Sequence, residues 1–211
     1  MIIVGLTGGI ASGKTFVASY LKALNIPIHE SDNIVRDIYL APNKDFLNFL
    51  NKNGFKKAIK KKKINKKKIR EIIFDNSVKR KILESYLHKR VALSRQEFIK
   101  KNKKSKIVFI DIPLLFENKL QLVCDYVCTI IAPLKTRENR ATKRKGMTKD
   151  LFKLIVSTQV NDKTRKSLSN YVVNSNISKL KTYLQVDNLI YDILKKNERS
   201  SFRYRNNRAK L

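Results

Sequence analysis

The sequence predicts an α/β fold in which a five-stranded parallel sheet is flanked by helices and carries a helical insertion and a small helical lid. Three observations predict it. The apolar run Ile2-Ile3-Val4-Gly5-Leu6 passes directly into Gly8-Gly9-Ile10-Ala11-Ser12-Gly13-Lys14-Thr15, which satisfies the phosphate-loop pattern Gly-x4-Gly-Lys-Ser/Thr. Four further apolar segments, residues 26–29, 106–110, 126–132 and 171–173, are each followed by polar or helical sequence and read as buried parallel strands. Helical periodicity separates them: Val17, Tyr20, Leu21 and Leu24 share a face over 15–24, Leu83, Leu87, Val91 and Phe98 recur over 77–100, and a last amphipathic helix covers 177–194.

A chain of 211 residues suits one well-buried α/β domain with insertions rather than two independent domains. We therefore expect a single domain over 1–194, its core made of 1–41, 105–135 and 161–194, followed by a basic tail at 195–211 that frays. No strand-like alternation is found across 42–104, which reads as an all-helical insertion after the second strand. The Arg/Lys-rich stretch 136–160 reads as a lid, a mobile cover over bound phosphates.

Composition narrows the class further. The longest apolar stretches, 107–110 and 127–132, are far too short to cross a bilayer. The N-terminal apolar run has no basic flank or cleavage site, so it is a core strand rather than a signal peptide. Cys124 and Cys128 are the only cysteines; in an extended segment they are too far apart for a disulfide, and no second Cys/His cluster suggests zinc. Reduced thiols and no export signal point to the cytoplasm. The net charge of +30 suits a polyanionic partner, but lysines are spread over the whole chain, as at 56–68 and 100–106, which fits a solvated basic surface better than a dedicated footprint.

A strand that ends in a glycine-rich turn and opens a helix aims backbone N–H groups and the positive end of the helix dipole at one concavity, whose natural occupant is polyphosphate. Gly8, Gly9, Ala11, Ser12 and Gly13 form the cradle, and Gly8 and Gly13 allow conformations and close approaches that a Cβ would obstruct. Lys14 reaches the β- and γ-phosphates, the Thr15 hydroxyl ligates Mg²⁺, and Phe16 offers its backbone N–H. Asp32 follows the second strand, where it either orients a substrate hydroxyl and accepts its proton or caps a helix over 33–40. Arg36, one turn on, either holds a phosphate or is solvated. Asp111 ends the third strand, either as a Mg²⁺-side carboxylate or as a turn residue ahead of Pro113. Arg137, Arg140 and Arg144 are spaced to line one face of a helix, either as guanidinium forks for a phosphoryl transition state or as a solvated face.

With these segments placed, the chain resembles the dephospho-coenzyme A kinases, in order, from residue 2 to about residue 194. The stretch Gly5-Leu6-Thr7-Gly8-Gly9-Ile10-Ala11-Ser12-Gly13-Lys14 is similar to that family's opening Gly-Leu-Thr-Gly-Gly-Ile-Gly-Ser-Gly-Lys. The family's Asp-Ala-Asp after strand two stands here as Glu30-Ser31-Asp32, followed by Ile34, Arg36 and Tyr39 in family positions. Phe74, Leu83-Glu84 and His88 resemble its Phe…Leu-Glu…His-Pro stretch, with Lys89 where Pro is usual. Asp111-Ile112-Pro113-Leu114-Leu115-Phe116-Glu117 is the most specific shared segment outside the phosphate loop. Arg140, Arg144, Gly146, Gln159 and Asn174 match, whereas Arg137 replaces a common Gln and Asn170 a usual Asp.

The resemblance implies transfer of the γ-phosphoryl group of ATP, with Mg²⁺, to the ribose 3′-hydroxyl of dephospho-coenzyme A, the last step of coenzyme A synthesis. It implies catalytic roles for Lys14, Asp32 and Arg140, nucleotide contacts from the loop and Arg144, acceptor contacts from Asp32, Arg36, His88 and Leu114, and Mg²⁺ ligation by Thr15 and Asp111. By the same resemblance the insertion holds the acceptor's pantetheine and adenosine, and His88 either lines that pocket or packs in a helix; Tyr39 and Phe74 stack or fill the core. The expected partner is the small molecule dephospho-coenzyme A, with no nucleic acid and no membrane; the sequence does not give the oligomeric state. Two rivals are another small-molecule kinase, for a nucleoside or its monophosphate, and a basic nucleic-acid-binding ATPase. The Asp111–Glu117 segment argues against the first, and the lack of a nucleic-acid module against the second.

Overall fold

The structure, a computed structural model, describes the backbone of residues 1–208 and the side chains of residues 1–198. The chain divides into two compact units, residues 1–29 with 102 onward, and residues 30–101.

The first unit is organised by a parallel sheet of five strands: β1 (Ile2–Gly8), β2 (Ile28–Glu30), β5 (Ile107–Asp111), β6 (Tyr126–Ile131) and β7 (Tyr171–Asn174), in the order β2-β5-β1-β6-β7. Strands covered by helices on both faces carry unbroken apolar runs, and β5 is accordingly buried along its whole length. β1 pairs with β5 on one side, Leu6 opposite Asp111, and with β6 on the other, Gly8 opposite Ile130. A central strand whose neighbours come from opposite directions of winding marks the point where open α/β sheets bind ligands, beyond its carboxyl end. The phosphate loop leaves β1 there. Helix α1 (Lys14–Ala23) follows, burying Val17, Ala18 and Leu21. Leu24, expected on the same face, is instead the C-cap residue and is exposed.

The helices of this unit close the core. α9 (Lys179–Arg208) contributes Val186, Leu189 and Ile193 to the cluster of Leu6, Leu21, Phe109 and Ile130. It runs past the end expected near residue 194, and the last three residues of the expected tail, 209–211, lie outside the described residues. α6 (Leu134–Thr142) and α7 (Lys149–Thr158) occupy the stretch read as the lid, followed by α8 (Asp162–Ser167). Ala141 and Phe152 bury against Ala11 of the phosphate loop, with Ile10, Met147 and Val156 packed around them.

The second unit comprises α2 (Ser31–Leu40), α3 (Lys44–Lys52), a short antiparallel hairpin of β3 (Ile59–Lys60) and β4 (Lys63–Ile64), α4 (Lys66–Phe74) and α5 (Ser77–Lys101). Asn43 and Asn65 cap α3 and α4 by accepting the N–H groups of Phe46 and Lys68, at 2.8 and 3.1 Å. Phe46, Leu50, Phe55, Ile69 and Leu83 form the core, and Tyr86 stacks against Phe46 and Phe49 with centroids 5.2 and 4.2 Å apart. The hairpin departs from the all-helical expectation. Its turn is Lys61-Lys62, with both φ positive at 47° and 61°, a geometry usually signalled by Asn-Gly and not by two lysines. Phe74 is 80% exposed and so fills no core, whereas Tyr39 meets Phe46 edge-on at 5.6 Å.

Candidate active site

Beyond Gly8 the chain makes a tight turn in which the Ser12 N–H donates to the Gly9 carbonyl at 3.0 Å, with Ala11 at φ 58° and Gly13 at φ 98°. Gly13 is the N-cap of α1, and its carbonyl accepts from Phe16 and Val17 at 3.0 and 3.2 Å. The Phe16 amide is therefore committed to the helix. The amides ahead of it in the first turn have no intrahelical acceptor, which is what an anion at a helix N-terminus requires. Thr15 is exposed on that turn.

Two basic side chains are fastened beside the loop. Lys14 Nζ donates to the carboxylate of Asp111, which is 6% exposed at the end of β5. The pairing of Leu6 with Asp111 sets this contact, since it brings the end of β5 level with the start of the loop. Arg140, on α6, donates from Nη1 to Ser175 Oγ at 2.9 Å and from Nη2 to the Ser175 carbonyl at 2.8 Å. The buried Ser175 hydroxyl in turn donates to the Ser12 carbonyl, so Arg140 is joined to the loop through one residue.

Arg137 behaves differently from its expected place beside Arg140 and Arg144. It is 3% exposed and turned into the protein body, with Nε donating to the Ile10 carbonyl at 2.9 Å and Nη1 to Asp162 Oδ2 at 2.7 Å. Arg144 lies past the last residue of α6 and is exposed. The three arginines therefore do not line one helical face.

The remaining sequence-predicted residues fall as follows. Asp32 is exposed in the first turn of α2, and the N-cap of that helix is Glu30, so Asp32 is not the cap. Arg36 is exposed and ion-paired with Asp37 at 3.3 Å. His88 is exposed on α5, which removes the packed-histidine alternative. Leu114 is 42% exposed in the turn after β5. Gly8 to Thr15, Asp111 and Arg140 thus gather in the first unit, while Asp32, Arg36 and His88 belong to the second.

Sequence reasoning missed Ser175, Asp162 and Arg165, and gave Glu117 and Gln159 no role. Gln159 Oε1 accepts the Ile10 N–H at 3.0 Å, and Glu117 Oε1 accepts both the Val160 N–H at 2.8 Å and Arg165 at 3.1 Å. The only signal was the membership of Glu117 and Gln159 in the family pattern. Asn170, where Asp is usual, accepts the Val127 N–H at 2.8 Å through Oδ1, a bond a carboxylate oxygen would make equally well. Burial pushes the Cys128 thiol up to about 12, so at neutral pH it is no nucleophile.

A phosphate loop with its lysine, an Asp at the end of the neighbouring strand and an arginine on the helix that follows β6 in this sheet define a phosphate-loop kinase. The chain matches the dephospho-CoA kinase family over residues 2–181, and it belongs to that family. Dephospho-CoA kinase of Bartonella quintana is 31% identical over 197 residues, covering 92% of this chain and 100% of the relative. That of Buchnera aphidicola is 34% identical over 198 residues, covering 92% and 93%. Among solved structures, a Thermus thermophilus protein aligns with a TM-score of 0.80 at 23% identity, covering 92% of this chain and 97% of its own. Dephospho-CoA kinase from Campylobacter jejuni aligns with a TM-score of 0.68 at 23% identity, covering 92% and 98%. These two establish the fold; the family follows from the sequence match.

Proposed function

We propose that the chain transfers the γ-phosphoryl group of ATP to the ribose 3′-hydroxyl of dephospho-coenzyme A, giving coenzyme A and ADP as the final step of coenzyme A synthesis. The observation that carries this is the use made of the family-specific segment at 111–117. Asp111 holds Lys14, the Pro113 carbonyl accepts the Thr7 hydroxyl of β1 at 3.1 Å, and Glu117 anchors the segment that follows α7. A segment that another small-molecule kinase has no reason to carry is thus built into the phosphate site.

Phosphoryl transfer through a loose transition state asks for positioning and charge neutralisation more than for covalent chemistry. The loop amides and Lys14 hold the phosphates, Arg140 closes on the transferring group as its charge spreads, and Arg144 binds nucleotide phosphate. Asp32 aligns the acceptor hydroxyl, with Arg36, His88 and Leu114 contacting the acceptor. An oxygen pair of one hydroxyl and one carboxylate suits Mg²⁺, which takes one or two carboxylates, substrate phosphates and water. Thr15 and Asp111 are the residues that would hold it, and the bound ion would offset phosphate charge. The second unit contains a cavity of about 280 Å³ between α2, α3 and α5, whose lining joins apolar Ile34, Ile38, Phe46 and Tyr86 to the polar Asp37, Asn43 and Arg90, a mixture that suits the amide-bearing pantetheine arm. Among the described residues no helix is long and apolar enough to cross a membrane, and neither cysteine forms a disulfide, which fits action in the cytoplasm.

The test is ADP release from Mg²⁺-ATP with dephospho-coenzyme A, set beside adenosine, nucleoside monophosphates and single-stranded RNA. Stimulation by dephospho-coenzyme A alone, with coenzyme A as product, is the expected result; stimulation by another acceptor or by RNA instead would overturn the reading. In the same assay Asp32→Asn is expected to lower kcat by about a hundredfold or more with little change in the KM for ATP. Near-normal turnover of that variant would remove Asp32 from the mechanism.

A further inference from the structure

The middle of the phosphate loop is held by groups outside the loop motif. Both polar groups of the Ile10 backbone are engaged from other segments: the N–H donates to Gln159 Oε1 at 3.0 Å and the carbonyl accepts from Arg137 Nε at 2.9 Å. Gly9 gives its open side to the same guanidinium, since an added Cβ would lie 2.4 Å from Nη2 and 2.6 Å from Cζ of Arg137. A planar fork can press on a glycine while donating in two other directions; an ammonium on a flexible stem has no such shape.

A guanidinium that is 3% exposed persists only if it is paired and hydrogen-bonded. Arg137 meets that condition through a chain of alternating charges. Nη1 donates to Asp162 Oδ2 at 2.7 Å, Asp162 Oδ1 accepts from Arg165 at 3.2 Å, and Arg165 Nη2 donates to Glu117 Oε1 at 3.1 Å. Two arginines and two carboxylates balance, and the chain ends on the segment whose first residue, Asp111, holds Lys14. The loop carbonyl and the loop lysine are therefore both referred to residues 111–117, the last residue of β5 and the turn that follows it.

We propose that Arg137 is a positioning residue for phosphoryl transfer, which fixes the Ile10–Ala11 peptide while packing on Gly9, and so sets the curvature with which the loop presents its amides to the phosphates of ATP. It acts through the backbone and touches no transferring atom. The path is short. The Gly9 carbonyl accepts the Ser12 N–H at 3.0 Å, and Ser12 adjoins Gly13, which opens α1. The loop motif ends well before residue 137, and the resembling family commonly has Gln there, so neither assigns this role. The role rests on the loop being the ATP site.

The experiment compares wild type with Arg137→Lys, which keeps a cation for Asp162 but gives up the fork, and Asp162→Asn, which keeps the shape and weakens the anchor. Affinity for a fluorescent ATP analogue tests the role whatever the acceptor is, while turnover with dephospho-coenzyme A tests the acceptor reading separately. Arg137→Lys is expected to weaken nucleotide binding and lower kcat by about tenfold each, with the KM for dephospho-coenzyme A unmoved, because small displacements of a positioning group cost rate steeply. Asp162→Asn is expected to show the same split at smaller size. A clamp that served stability alone would lower the melting temperature while the folded fraction kept wild-type affinity and kcat. That result in both variants, or a shift confined to the KM for dephospho-coenzyme A, would overturn the proposal.

Discussion

At φ 98°, Gly13 lies in the left-handed region, and a Cβ added there would also meet Ser175 at 2.8 Å from Oγ and 2.9 Å from Cβ. The two demands can be separated within this chain. Gly146, at φ 79°, has nothing within 4 Å of the same imagined atom. Gly146→Ala should therefore show the backbone penalty alone, about 1 kcal/mol. Gly13→Ala adds displacement of Ser175, and with it the support of Arg140 and the contact to the Ser12 carbonyl. It is expected to cost about 3 kcal/mol in thermal or urea unfolding and to weaken ATP binding by calorimetry, whereas Gly146→Ala leaves binding intact. Equal effects of the two substitutions would mean that only the dihedral matters at Gly13.

Among the elements, α6 shows where sequence spacing stops being informative. Arg137 and Arg140 are three residues apart on it, yet one is buried under the loop and the other reaches Ser175. Buried and solvated arginines look alike in a chain with 47 Lys and Arg, because what distinguishes them is a carboxylate brought from elsewhere by the fold. The strands were legible for the opposite reason: burial on both faces of β5 and β6 writes itself directly as Ile107–Asp111 and Tyr126–Ile131. The phosphate loop was legible because its chemistry is carried by consecutive backbone groups. The Lys61-Lys62 turn and the Asp162–Arg165 pair were not, since neither residue type announces its role. The buried pairs that tie α8 to the segment after β5 should matter to stability accordingly. Arg165 is 1% exposed, and Glu117→Ala removes one of its two carboxylates together with the acceptor of the Val160 N–H. A loss of about 3 kcal/mol is expected in equilibrium unfolding, against less than about 0.5 kcal/mol for Arg36→Ala, whose pair with Asp37 is exposed on both sides. Comparable losses for the two variants would show that the buried chain of charges is not holding α8.

For the molecule as a whole the dominant physical fact is a net charge of +30, from 47 basic and 17 acidic residues. Within the phosphate site the charges are largely matched: Lys14 with Asp111, and Arg137 and Arg165 with Asp162 and Glu117. The excess therefore sits on the surface, where it creates a long-range attraction for anions rather than a particular contact. ATP and dephospho-coenzyme A both carry phosphate charge, so the field raises their encounter rate, and salt weakens it once the screening length falls below about 10 Å, near 0.1 M. The kcat/KM for either substrate is expected to fall several-fold as ionic strength rises from about 0.05 to about 0.5 M, while kcat, set after binding, changes little. The same slope should appear in Asp32→Asn, because it belongs to the surface and not to any one residue of the site. Steady-state rates across a salt series check both statements. A kcat that fell in step with kcat/KM would place the effect in the bound complex and transfer the explanation from the surface field to the local charges around the loop.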